Sequence, residues 1–233
     1  MRLGMEVNDL LVLEFDGIQQ LLEEKVCLKN NMSISEIRTI SGVDLAYWTE
    51  REKTYAVCCI VTIDYNSHDI VEFKSLSGEI TVPYMAGYLS FRELPLIIKT
   101  YELLNRKPDI IMFDGNGYLH YRHMGIATHA SFILNIPTIG VAKSYLKIEN
   151  VEYIMPENKV GAYTDIMIHN VVYGRALRTH KDIRPIFISA GNWMELGTAT
   201  DIVMSLVNNE SRQPIPIRLA DIETRKMREI LHK

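Results

Sequence analysis

Cysteine is scarce in this chain, and no long apolar run occurs. The three cysteines are Cys27, Cys58 and Cys59; the number is odd, two of them are adjacent, and no spacing fits a zinc cage. A disulfide framework is excluded, and a reducing, cytoplasmic setting is expected. Of the Cys58-Cys59 pair, in the apolar run Tyr55 to Ile63, one thiol is expected to face the core. No apolar segment approaches the length of a membrane span. Met1 to Leu13 carries Glu6 and Asp9 where a leader would have a basic start and an apolar middle, so no signal peptide is expected. Repeats and low-complexity tracts are also missing. Nor is there an excess of positive charge: 25 Lys and Arg against 29 Asp and Glu give a net charge of −4. Any contact with nucleic acid must then rest on local charge. One such place is the tail from Ser211, where Arg212, Arg218, Arg225, Lys226, Arg228 and Lys233 outnumber Asp221, Glu223 and Glu229; a solvated last helix would also account for it.

What is present is a chain of 233 residues, 47% of them hydrophobic, enough for a full core in one domain over residues 1–233. A monomer is the simplest state. Asn8-Asp9 can cap a helix running through Leu28. Thr39 to Tyr47, Thr54 to Asp64 and Asp69 to Lys74 read as three strands in two consecutive hairpins. A short extended piece, Glu79 to Val82, leads through the loop Pro83 to Gly87 into a helix over Leu89 to Leu104. Ile110 to Phe113, a helix over His123 to Leu134 and Pro137 to Ala142 form a strand, loop, helix, strand unit. Val151 to Asn170 has little pattern and reads as a loop-rich insertion. Strands over Val171 to Leu177 and Pro185 to Ser189 follow, then helices over Ala199 to Val207 and Arg218 to Leu231. This order suits an α/β fold, a mixed central sheet with helices on both faces.

The unit around Ile110 to Lys143 carries the chemistry. Its first strand ends on Asp114-Gly115-Asn116-Gly117, and its second ends on Lys143. In open α/β sheets that edge is where ligands bind. Asp44 lies inside the first strand pattern between apolar Val43 and Leu45, a costly place for a charge without a partner. If that strand lies beside Ile110 to Phe113, Asp44 and Asp114 meet at one sheet end, and a divalent cation relieves their repulsion. Glu93 and Asp221 can complete an oxygen cage. Capping or ion pairing explains any one of these acids; only the set of four points to a metal.

Several segments then resemble one family. GVDLAY (Gly42 to Tyr47), PYMAGYLSFRE (Pro83 to Glu93), FDGNGYLHYRHMGIATH (Phe113 to His129) and PTIGVAKS (Pro137 to Ser144) are similar to successive motifs of endonuclease V. GRALRT (Gly174 to Thr179), RPIFISAGN (Arg184 to Asn192) and PIRLAD (Pro216 to Asp221) keep the family's order and spacing. The resemblance implies a ribonuclease H-like fold and a Mg²⁺-dependent endonuclease, with Mn²⁺ able to substitute. Its substrate would be deaminated adenine, hypoxanthine, in inosine-containing DNA, and its cut the second phosphodiester 3′ to the lesion, a repair reaction.

By the same resemblance Asp44, Glu93 and Asp114 are the catalytic metal-binding acids, and Lys143 sits by the scissile phosphate. Asp221, where many members have histidine, is the fourth candidate ligand. Tyr84 matches the wedge that fills the gap left by an everted base. Gly87, Leu89, Gly115, Gly125 and Ile126 would line the base pocket, with His120 nearby. The chain departs from the family at Ala86, Tyr121, Asn192 and Asp221. Three alternatives stay open: an inosine-specific endoribonuclease, an inosine-binding protein of the same fold with weakened catalysis, and a nuclease of this fold that reads junctions or flaps.

Overall fold

The computed structural model describes residues 7–232; residues 1–6, which include part of the stretch weighed above as a leader, and residue 233 of the basic tail lie outside the described residues. One eight-stranded sheet runs through the structure in the order β3-β2-β1-β4-β5-β8-β7-β6. Its strands are β1 (Thr39–Glu50), β2 (Lys53–Asp64), β3 (Ile70–Glu79), β4 (Ile110–Phe113), β5 (Thr138–Ala142), β6 (Tyr163–Ile168), β7 (Val171–Leu177) and β8 (Ile186–Ala190). β1, β2 and β3 form the expected pair of hairpins. β4 and β5 then add in parallel to β1, and β8 runs antiparallel to β5. An antiparallel meander followed by two parallel crossover strands is the ribonuclease H-like arrangement.

Among the described residues the chain forms five α-helices: α1 (Val7–Glu23), α2 (Leu89–Glu102), α3 (Ile126–Leu134), α4 (Leu196–Ser205) and α5 (Ile215–Leu231). α4 and α5 cover one face, where Ile40, Val61, Ile110, Met112, Ile139, Ile202 and Ile217 are buried together. α2 and α3 cover the other, around Val43, Ile60, Ile97, Ile111, Phe113 and Ala130. β4 and β5, covered on both sides, are buried at every position, as continuous apolar runs require. β2 is enclosed from Ala56 to Ile63, so both cysteines are in the core. Cys58 packs on the α2 face and Cys59 on the other, next to Met227 of α5. The expectation that one thiol of the pair faces inward fails because successive residues of a strand point to opposite sides, and here both sides are covered.

The segment read as a loop-rich insertion contains β6, paired with β7 through the two-residue turn His169-Asn170, both with positive φ (47° and 63°). Such a turn matches the twist of a hairpin. The strand escapes notice because its outward positions include Tyr163 and Met167, which hide the alternation with buried Ile166 and Ile168. α5 begins earlier than expected, with Pro214 as its cap and Pro216 inside its first turn. Proline there is harmless, since the first turn's N–H groups have no helical partner.

That early start sets the site. The backbone of Pro216 and Ile217 lies directly on Gly42 of β1: a Cβ at Gly42 would stand 2.2 Å from the Pro216 carbonyl. The close approach presses α5 onto the strand that carries Asp44. Gly42→Ala is therefore expected to lower unfolding free energy by about 1–3 kcal/mol, the cost of overpacking. Thermal or denaturant unfolding checks this, and an unchanged midpoint would contradict the close contact.

Candidate functional site

Register places the acids. β1 and β4 run side by side from Ile40 opposite Ile110 to Val43 opposite Phe113, so the next residues on each strand, Asp44 and Asp114, emerge together at the carboxyl edge. Both point to the α5 side. Asp221 reaches them from α5, and Lys143, the first residue after β5, closes the group. Asp44, Asp114, Lys143 and Asp221 line one cleft of about 440 Å³, with Thr224, Arg225 and Arg228 of α5 on its wall. Glu93 comes from α2, on the opposite face. It lies outside the cleft lining, yet its charge acts on the same acids.

Each acid has a partner within the protein. Lys143 Nζ lies 2.6 Å from Asp114 Oδ2 and 3.3 Å from Asp221 Oδ1. Arg225 pairs with Asp221 at 2.8 Å. The Thr224 hydroxyl is 2.9 Å from Asp44 Oδ2, and the Tyr47 hydroxyl donates to Glu93 Oε1 at 2.6 Å. Arg212 holds the backbone of this corner, donating to the carbonyl oxygens of Arg184, Pro185 and Lys143. Among the described residues no three His, Cys, Asp or Glu side chains are arranged to hold an ion as they stand. The Lys143 ammonium instead lies within reach of both Asp114 and Asp221.

The charges remain in conflict. Burial raises the Asp44 carboxyl to about 6, helped by Asp114 and opposed by Thr224 and Lys143. Burial also raises Glu93 to about 7 against the Tyr47 hydrogen bond, with Asp44 and Asp114 adding to the rise. Asp114 is raised too, by burial, although Lys143 opposes it. Lys143 is pulled down by burial but ends above its usual range because Asp114, Asp221 and Asp44 surround it. An all-oxygen set of mutually repelling carboxylates is the donor chemistry a hard divalent cation fits.

Directly beside the acids is a second, more enclosed cavity of about 150 Å³. All seven residues expected to meet the base, Tyr84, Gly87, Leu89, Gly115, His120, Gly125 and Ile126, line it, joined by Ser90, Asn116, Met124 and Leu146. Asp114 faces the cleft and the next residue, Gly115, faces the cavity. Tyr84 is 72% exposed at the cavity's rim. Its loop ends on Gly87, whose φ of +85° favours glycine. The Gly87 carbonyl accepts from Gln19 at 3.1 Å and from Arg122 at 3.4 Å. Gln19, fully buried on α1, also accepts from Arg122 at 2.5 Å. Burial, with the nearby charge of Arg122, lowers the His120 imidazole to about 4, so it is neutral at pH 7.

Gln19 and Arg122 escaped the sequence reading. Gln19 is one of several polar residues on an amphipathic helix, and nothing in its neighbours marks it as buried. The two histidines that follow His120 serve elsewhere: His123 Nδ1 is 2.6 Å from Glu23 and His129 Nδ1 is 2.8 Å from Ser90. Asn192, one of the departures noted above, lines neither the cleft nor the cavity. It is fully buried, and its Oδ1 accepts from the Cys27 N–H at 2.7 Å, tying the segment after α1 to the end of β8.

A family model for endonuclease V matches residues 20–222 of this chain. The chain belongs to the endonuclease V family. It is 61% identical to the endonuclease V of Bacillus thuringiensis subsp. konkukian over 221 residues, 95% of this chain and 94% of that one. The crystal structure of endonuclease V from Bacillus subtilis superposes with a TM-score of 0.92 at 49% identity, covering 98% of this chain and 95% of that one. Ciona intestinalis endonuclease V, solved in complex with a 24mer DNA containing an inosine followed by a ribo-adenosine, gives a TM-score of 0.86 at 29% identity, covering 96% of this chain and 100% of that one. As a member of this family the chain is a nuclease acting on phosphodiester bonds. No helix among its described residues is long and apolar enough to cross a membrane.

The raised acids make stability depend on pH. An acid whose folded pKa stands above its unfolded value binds its proton more tightly in the fold. Its effect is absent below the unfolded pKa and becomes destabilising as pH rises through the folded one. With Asp44 going from 3.8 to about 6, the metal-free protein is expected to lose stability between those values. Asp44→Asn should melt above wild type at pH 8 in chelator, with the difference vanishing near pH 4. A wild type that melts as high as the variant at pH 8 would show that the carboxylates are not in conflict.

Proposed function

We propose that this chain captures hypoxanthine, the deaminated form of adenine, from an inosine-containing strand and hydrolyses the second phosphodiester 3′ to it, with Asp44, Glu93 and Asp114 as metal-binding acids and Asp221 as a fourth ligand. The observation that carries the reading is the junction Asp114-Gly115, where an acidic cleft and an enclosed cavity of about 150 Å³ meet at consecutive residues. A lesion held in the cavity leaves its 3′ phosphates running over the acids. The Ciona relative bound to inosine-containing DNA supports the substrate class.

Tyr84 enters the stack and takes the place of the displaced base, which lowers the cost of eversion. The Gly87 loop, held by Gln19 and Arg122, keeps Tyr84 at the rim and presents backbone groups to the base edge. Neutral His120 adds a polar wall without a charge. A divalent cation, Mg²⁺ or Mn²⁺, bound by the acids would supply Lewis acidity to the phosphate and a water of lowered pKa. Lys143 moves from Asp114 to the phosphate, where its ammonium meets the negative charge that grows in the transition state. Asp44, raised to about 6, loses its remaining proton when it takes up its ligand role. Three unpaired thiols suit a cytoplasmic, reducing setting, and the chain acts as a monomer in one domain.

The test is a strand-cleavage assay on matched DNA and RNA oligonucleotides, each with one inosine, mapping the cut. Cleavage at the second bond 3′ to inosine is expected, with Asp114→Asn slower by roughly 10²-fold or more. Inertness of both strands with Mg²⁺ and with Mn²⁺ would reject the reading. Tight binding of inosine without any nick would favour an inosine-binding role, and the DNA-to-RNA ratio of rates decides which polymer is the substrate.

A further inference from the structure

Next to the acid cleft, on the side away from the base cavity, lies a trough of about 510 Å³ bounded by Tyr47, Trp48, Arg228, Glu229 and His232. Tyr47 and Arg228 line both the trough and the acid cleft, so the two are continuous. Trp48 sits on the last part of β1, beyond the strand's pairing with β4, and packs with Met227 of α5 on the Ala46 and Cys59 side. Tyr55 stacks on it at 5.8 Å between ring centroids and 19° between planes. The indole is thus half-buried and held flat at the trough wall.

The arginines and lysines of α5 and of the segment before it are mostly engaged. Arg218 pairs with Glu210, Arg225 with Asp221 and Lys226 with Glu223, while Arg212 is spent on carbonyl groups. Arg228 is different: among the described residues its guanidinium makes no ion pair, hydrogen bond or ring contact. It is half-buried, and it stands where the acid cleft opens into the trough.

We propose that this trough seats the nucleic-acid strand 3′ of the cut: Arg228 takes the phosphate beyond the scissile one, and Trp48 stacks on the base that follows. This inference rests on the function proposed above, which sets the polarity. If the lesion fills the cavity and the cut falls on its 3′ side, the strand runs from cavity to acids to trough in the 5′ to 3′ direction. A flat aromatic next to an unpaired guanidinium is the pairing that holds single strands without reading sequence. Glu229, which also lines the trough, keeps it from holding phosphate along its whole length, so binding there is local and the product can leave.

The test compares two inosine strands, one extending several nucleotides past the cut and one ending a single nucleotide past it. Wild type should cleave the longer strand with a kcat/KM roughly tenfold higher, the scale of one base–aromatic stack. Trp48→Ala should bring that ratio towards one, and Trp48→Phe should keep most of it. Because both strands are measured on one enzyme preparation, partial unfolding of a variant cancels from the ratio. Arg228→Gln should reduce the salt dependence of KM on the longer strand by about one released ion. A wild-type ratio of one, or a Trp48→Ala ratio equal to wild type, overturns the assignment. If wild type cleaves neither strand, the nuclease reading on inosine fails instead, and this one falls with it.

Discussion

The repulsion among carboxylates at the end of β1 and β4 is the constraint around which the rest of the molecule is arranged. Parallel pairing from Ile40 to Val43 forces Asp44 and Asp114 to emerge side by side. Gly42 lets α5 lie against the strand closely enough to bring in Asp221. A fold does not gather such charges for stability, because each raises the proton affinity of the others. Lys143 settles the conflict only in part: it bridges Asp114 and Asp221, while Asp44 and Glu93 remain raised to about 6 and about 7. The site is electrostatically incomplete in a way a hard cation would correct, and in the proposed function Lys143 is then free to act on substrate.

The geometry also separates the two tasks proposed for one strand edge. In that proposal reading falls to the cavity on the α2 and α3 side, where Gly87, His120 and Gly115 present backbone and neutral polar groups. Cutting falls to the cleft on the α5 side. The sheet edge lies between them, and the turn from Asp114 to Gly115 passes from one task to the other in a single residue. The anchoring of Gly87 by Gln19 and Arg122 ties α1, remote from the acids along the chain, to the wall of that cavity. It also bears on Ala86, which stands where the family pattern has proline. Here hydrogen bonds to the Gly87 carbonyl tie the loop down where a second ring is missing.

Much of this was legible in the sequence because the signals were local. The run Ile110 to Phe113 ending on Asp-Gly, the strand that hides Asp44, and the Gly87 loop each carry their own punctuation, and the family motifs supplied their order. The sheet, its two covered faces and the grouping of Asp44, Asp114, Lys143 and Asp221 followed. What was not legible depended on the third dimension. β6 was lost because Tyr163 and Met167 are apolar yet face outward. The adjacent cysteines were assigned one to the core, since burial of β2 on both faces is a property of its neighbours. Gln19 looks like any helix glutamine until α1 docks. Arg228 looks like one basic residue among several, and only the ion pairs around it reveal that it alone is free among the described cations of that helix.

The central claim is that the acids are held together for a cation and that Lys143 is its stand-in. Crystals equilibrated with Mn²⁺, with the ion located by anomalous scattering, address it most directly. The expected result is Mn²⁺ bound between Asp44 and Asp114, with Lys143 withdrawn from Asp114. Mn²⁺ absent from that cleft at saturating concentration, with the Lys143–Asp114 pair intact, would contradict it.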